Sequence, residues 1–301
     1  MAAAYSLADA RTRLDAKDAS LQRIDLSVKI IGKTGARALA RALDGGSFPA
    51  LQEIWLGGNN IRVEGVKALA GALQRGSCPA LQRISLGVNN IGVEGAKALA
   101  GALEHGSFPA LQDIYLDENN IGDEGAAALA GALERGSFPA LYRVWLSGNI
   151  IGDEGARALA GALERGSFLT LHGIWLGFNN IGDEGAEALA GALERGSFPK
   201  LQSIELLGNR IGDLGAKALV QALQRGSFPK LQHIWLGGNN VGDEMLEQVY
   251  RAVACMHCRI RLVALLGAEV PAAPATAAKR LLWRDGDRAA LTRVRSFLLT
   301  L

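Results

Sequence analysis

Several groups of residues have the types and spacings to do chemistry. Gly32-Lys33-Thr34 closes a stretch reading as strand, loop and helix start, the order in which GxxxxGK[ST] wraps a phosphate in backbone amides and a lysine. Asp123-Glu124, Asp153-Glu154, Asp183-Glu184 and Asp243-Glu244 are acid pairs of the kind that bind calcium or exchange protons. Cys255 and Cys258 have the CxxC spacing of a zinc knuckle or a redox pair. Trp55, Tyr115, Trp145, Trp175 and Trp235 recur at multiples of one interval, and large aromatics gathered on one surface anchor protein partners.

The bland reading of each chemical motif is stronger than the sharp one, except for the last. Ser27 stands where the phosphate loop needs its first Gly, and Gly32-Lys33-Thr34 falls in register with Gly122-Asp123-Glu124, which makes it an ordinary loop with substitutions. The acid pairs begin helices, where a carboxylate caps free amides and complements the helix dipole. Neighbouring helix starts are roughly 8 to 10 Å apart, too far to share one cation ligated at roughly 2.3 to 2.6 Å. A zinc site needs two ligands beyond Cys255 and Cys258, and the tail supplies none at matched spacing. His105, His172, His233 and His257 are scattered with no common Ser, Cys or Asp partner. The expectation is a non-enzymatic chain with no cofactor, no metal and no catalytic residue.

What positions these residues is a thirty-residue frame, LxxIxLxxNxIGDEGAxALAxALxxGSFPA, beginning at Leu21, Leu51, Leu81, Leu111, Leu141, Leu171, Leu201 and Leu231. A fixed period of this length marks a solenoid. Leu111 to Leu116 alternates apolar and polar like a strand, and Gly125 to Leu133 repeats apolar residues at helical spacing. Ile114 and Leu116 share the inward parity, which sends Asp113 and Tyr115 to the other face of the sheet. Parallel strands about 4.8 Å apart against helices about 8 to 10 Å apart bend such a stack, with strands on the concave face. The ninth-position asparagines, Asn59 through Asn239, read as a ladder satisfying loop amides, and Phe-Pro as an apolar plug. Gly and Ser after each helix read as its stop signal.

This pattern resembles the ribonuclease-inhibitor-type leucine-rich repeat, found also in the sensor arrays of NOD-like receptors and in Ran GTPase-activating proteins. The resemblance covers about Leu21 to Arg261. It implies an α/β horseshoe solenoid, with parallel strands concave and helices convex. Lys29 departs from the frame Asn, and Leu169-Thr170 replaces Pro-Ala. Arg62 replaces a frame Gly in the second strand-to-helix loop, the region where Ran GTPase-activating proteins place a functional Arg; a small GTPase is therefore an alternative partner. A further alternative is that the chain is itself a ligand-sensing immune-type repeat domain.

The expected organisation is a capping helix over 1–20, eight repeats over 21–267 with the last merging into a helix from Asp243 to Leu266, and a linker plus basic amphipathic helix over 268–301. Residues 251–301 hold nine Lys or Arg against three acids, and Leu291, Val294, Leu298 and Leu301 share one helical face. The N-terminus is too charged for a signal peptide, no apolar run reaches the roughly 20 residues of a membrane span, and Cys78, Cys255 and Cys258 are too few for a disulfide framework. A cytoplasmic location and no stable membrane insertion are expected; nucleic acid is not an expected partner.

The fifth frame position reads Asp25, Trp55, Ser85, Tyr115, Trp145, Trp175, Glu205 and Trp235, so four of the five tryptophans stand in one column. Phe178 joins them from the eighth position. Stacking between neighbouring rings would stabilise the sheet. An aromatic patch with a charged rim also suits a partner. The expected partner-binding residues are Trp55, Tyr115, Trp145, Trp175, Phe178 and Trp235, with Arg143, Asp113 and Glu205 at the rim.

Overall fold

The computed structural model describes residues 3–245, except 45, 76, 77, 137, 167, 197, 226–229 and 232, together with residues 261 and 262. The chain divides into Met1–Ala264 and Leu265–Leu301. The second unit, with the expected linker and basic helix, lies outside the described residues, as do Cys255 and Cys258.

The first unit is one parallel sheet whose strand order equals chain order: β1 Ala3–Ala4, β2 Arg23–Asp25, β3 Glu53–Trp55, β4 Arg83–Ser85, β5 Asp113–Tyr115, β6 Arg143–Trp145, β7 Gly173–Trp175, β8 Ser203–Glu205, β9 His233–Trp235 and β10 Arg261–Leu262. Helices alternate with them: α1 Leu7–Asp15, α2 Gly32–Leu43, α3 Arg62–Arg75, α4 Gly92–His105, α5 Gly122–Arg135, α6 Asp153–Arg165, α7 Asp183–Arg195 and α8 Asp213–Arg225. Each helix packs on the next. Ile114 and Leu116 are buried, as are Leu129 and Ala126 of the helix facing them. The N-terminal segment caps with a strand as well as a helix, because β1 pairs with β2 and covers its open edge.

Three features differ from what the sequence predicts. A helix does not run unbroken from Asp243 to Leu266: Arg261↔His233 and Leu262↔Ile234 form a parallel pair, which satisfies the free edge of β9. The first acid of three of these pairs caps the following repeat's helix, not its own; Asp123 Oδ1 accepts from Gly152 N at 2.6 Å and Gly155 N at 3.0 Å, and Asp153 and Asp183 repeat the pattern. Gly106, Gly136, Gly166 and Gly196, which follow α4 to α7, are not left-handed stops. Gly106 has φ −83°. A Cβ there would meet Phe108 Cε2 at 2.5 Å and Ala102 O at 2.6 Å, so the residue is small to admit the Phe plug.

The asparagine ladder is built as its spacing suggests. Asn89 Nδ2 donates to Leu56 O and Leu86 O, both at 2.9 Å, while its Oδ1 accepts from Asn59 N at 3.0 Å and Ile61 N at 3.2 Å. One buried side chain thus satisfies groups from two repeats. Cys78, 4% exposed, takes the plug position that Phe48 and Phe108 fill in neighbouring repeats, and burial pushes its thiol up to about 11. It is a small core residue rather than a reactive thiolate.

Candidate functional site

Register brings the fifth-position residues into one row across the strand face: Asp25↔Trp55, Trp55↔Ser85, Ser85↔Tyr115, Tyr115↔Trp145, Trp145↔Trp175, Trp175↔Glu205 and Glu205↔Trp235. Tyr115 and Trp145 stack at 5.5 Å and 24°, Trp145 and Trp175 at 4.1 Å and 10°. Trp55 and Tyr115 lean over Ser85 until their centroids are 5.5 Å apart. Four rings therefore run continuously, each half-buried against its neighbours. Such pairs contribute about 0.5 to 1.5 kcal/mol each beyond area burial. Burial also pushes the Tyr115 hydroxyl up to about 12, with the Asp113 carboxylate adding to the shift.

Beside this row lies one of alternating charge at the third frame position. Arg23 Nη1 reaches Glu53 Oε2 at 3.1 Å, Arg83 Nε donates to Glu53 Oε1 at 3.1 Å, and Arg143 Nε donates to Asp113 Oδ1 at 2.8 Å. Asp113 faces this side as its parity requires, but it is 2% exposed and bound by Arg143, so the guanidinium carries the pair's accessible surface. Arg143 also lies 4.9 Å from the Tyr142 ring centroid and 6.0 Å from that of Trp145. The charge row stops at Gly173, and the Trp175 indole lies over the vacant position: a Cβ on Gly173 would overlap its Cη2 and Cζ3 atoms. Trp55 folds the same way, donating from Nε1 to Glu53 Oε2 at 2.8 Å.

On the other flank a serine joins two acids, Asp117 of that flank and Glu205 reaching over from the aromatic row. Ser147 N donates to Asp117 Oδ1 at 3.2 Å and Ser147 Oγ donates to Glu205 Oε2 at 3.1 Å. Burial pushes Asp117 up to about 8; the charges of Glu205 and Glu118 add to this. Burial likewise pushes Glu205 up to about 7 against the hydrogen bonds from Ser147 and Gly177. Asp117 Oδ2 is buried with no partner. Among the described residues no lysine or arginine pairs with either carboxylate. Nothing within one repeat shows that Ser147, thirty residues after Asp117, bridges that acid and Glu205.

Phe178 is 42% exposed in a strand-to-helix loop, over Gly208 rather than in the aromatic row. It belongs to a set that pattern reading missed: Val28, Ile30, Val88 and Ile150 are also exposed in these loops, all at positive φ. The signal was available, since they replace residues such as Gly58, Asn60 and Asn90 that suit that conformation. Arg62 is exposed at φ 60°, and its Nε donates to Asn60 Oδ1 at 3.0 Å. The amide of Gly32 donates to Asn59 O at 3.0 Å, taking one of the amides a phosphate would need. Among the described residues no three His, Cys, Asp or Glu side chains converge as a metal site would require, and no helix is long and apolar enough to cross a membrane.

A parallel sheet with its helices in chain order and an asparagine ladder through its loops defines a leucine-rich-repeat solenoid. The chain carries leucine-rich repeats: the family model described as Leucine Rich repeat matches residues 50–70, 77–100, 110–130, 145–160, 175–190 and 199–220. No curated protein sequence matches. Among solved structures the chain is similar to "Leiomodin-1 Actin-Binding Site 2 (ABS2)", at 17% identity and TM-score 0.42, over 54% of this chain and 85% of that one.

Proposed function

We propose that this protein is a non-enzymatic scaffold that binds a protein or peptide partner on its strand face, through the row Trp55, Tyr115, Trp145 and Trp175 with Trp235 and Phe178 at its margins. One observation carries this reading: Asp25 and Ser85 occupy the same register position as the rings, so the fold does not require aromatics there. Half-buried rings held by stacking lose little side-chain entropy on binding, which is what a hot spot needs. Arg143 supplies a cationic margin and Glu205 an acidic one.

The test is the affinity of a partner, identified by cross-linking and then purified, for the wild type and for Trp145→Ala and Trp175→Ala. Each substitution is expected to weaken binding at least about tenfold, the size of a hot-spot loss. Unchanged affinity in both would move the site elsewhere. The small-GTPase alternative has Arg62 as its single support, exposed at the start of α3. Single-turnover GTP hydrolysis that the wild-type protein fails to accelerate would set it aside for the GTPase tested.

A further inference from the structure

The strand-to-helix loops form one continuous edge, and its charge reverses along the chain. Backbone hydrogen bonds fix the order of the loops: Val28 N donates to Gly57 O, Val88 N to Asp117 O and Gly148 N to Gly177 O, each at 2.8 Å. The loops and helix starts of repeats one and two carry Lys29, Lys33 and Arg62 against one acid, Glu64, all exposed. Among the described residues Lys29 and Lys33 pair with no carboxylate, and Arg62 meets only the neutral Asn60 amide. The same positions of repeats four to six hold Asp123-Glu124, Asp153-Glu154 and Asp183-Glu184 and no Lys or Arg. Lys97 reaches Glu124 at 2.6 Å, and Arg157 reaches Glu154 at 2.6 Å and Glu184 at 3.1 Å, so two cations face these six acids. Asp123, Asp153 and Asp183 accept from backbone amides, which leaves their charge in place.

Each half of the edge also presents apolar side chains where the backbone disfavours them. Val28 and Ile30, 72% and 83% exposed, stand at φ 56° and 55° in the basic half; Ile150 and Phe178, also exposed, stand at φ 62° and 53° in the acidic half. Val28 lies over Gly58 and Phe178 over Gly208, in each case a glycine of the next loop. A β-branched residue in the left-handed region is strained, and wetted apolar surface adds a second cost. Another surface covering these side chains removes that second cost.

We propose that two copies of this chain pair through the loop edge, antiparallel about a two-fold axis between repeats three and four. Repeat one of each copy then meets repeat six of the other, and repeat two meets repeat five. Lys29 and Lys33 face Asp183-Glu184, Arg62 faces Asp153-Glu154, and Val28 and Ile30 cover Phe178 of the other copy. An isologous contact needs a surface complementary to itself when reversed, and this edge has opposite charge at its two ends with apolar residues at both. Register is shared, because both copies set their loops at the same inter-strand interval of about 4.8 Å. A parallel alignment sets like charges together. An anionic membrane suits the basic half and repels the acidic one. The contact lies on the loop edge, so the aromatic rows stay outside it, and the pairing stands or falls apart from binding there.

Sedimentation velocity of the full chain over a concentration series reads the pairing, and the wild type is expected to form a dimer. Lys29→Glu combined with Lys33→Glu should raise the dimer dissociation constant at least about tenfold, and so should Glu154→Lys combined with Glu184→Lys, with circular dichroism unchanged in both. Mixed in equal amounts, the two double variants should pair with each other about as tightly as the wild type does with itself, since every contact again joins opposite charges. A wild type that stays monomeric throughout, a dimer that survives both charge reversals, or a mixture that stays monomeric overturns the proposal.

Discussion

Trp145 and Trp175 lie face to face, with ring centroids 4.1 Å apart and planes 10° from parallel. That separation is set by the sheet as much as by the rings, because directly paired residues of neighbouring parallel strands stand about 4.8 Å apart. It also depends on a residue with no side chain, since Trp175 rests over Gly173.

Gly173→Ala is therefore expected to swing the Trp175 indole off its seat. The backbone of β7 has no other need of glycine there, so the fold should persist, with a loss of about 1 kcal/mol from the broken ring pair. Near-ultraviolet circular dichroism should lose the signal of the coupled indoles, and partner affinity should fall severalfold. A spectrum identical to the wild type would mean that the ring does not depend on Gly173.

Ile150 stands at φ 62° and is 54% exposed, whereas Asn60, Asn90 and Asn120 hold the same loop position at φ 52°, 54° and 56°. A β-branched residue in that region is strained, and asparagine tolerates it. Asn120 Nδ2 already donates to Asn90 Oδ1 at 3.0 Å, so an asparagine at 150 could extend that chain. Ile150→Asn should stabilise the protein by about 1 kcal/mol, read from the urea midpoint. A destabilised variant would show that the isoleucine is held by contacts that outweigh its backbone strain.

Asp117 gives stability a definite pH dependence. Its ordinary value is 3.8 and burial raises it to about 8, so between these the native state keeps a proton that the unfolded chain has released. Stability is then greatest on the acid side of this window and falls as pH rises through about 8; Glu205, raised from 4.5 to about 7, adds the same sign over a narrower range. Urea midpoints at acid, neutral and mildly alkaline pH should decline for the wild type and decline much less for Asp117→Asn. Equal slopes for the two proteins would show that the carboxyl is ionised throughout.

By itself the sequence determined the periodic part of the molecule. The thirty-residue frame dictated strand, loop and helix, because apolar spacing within one repeat is enough to set which side of each element is buried, as Ile114, Leu116 and Leu129 show. It also placed the asparagine ladder and the column of aromatic residues, since both recur at one position of the frame. Contacts between repeats were decided only by the tertiary structure. Asp123 serves the next helix, Asp113 disappears against Arg143, Glu205 reaches Ser147, and Trp175 settles over Gly173. Each depends on which side chain a neighbouring strand or loop presents a few ångströms away, and a repeating frame states the position of that neighbour without stating how two particular side chains will share the space.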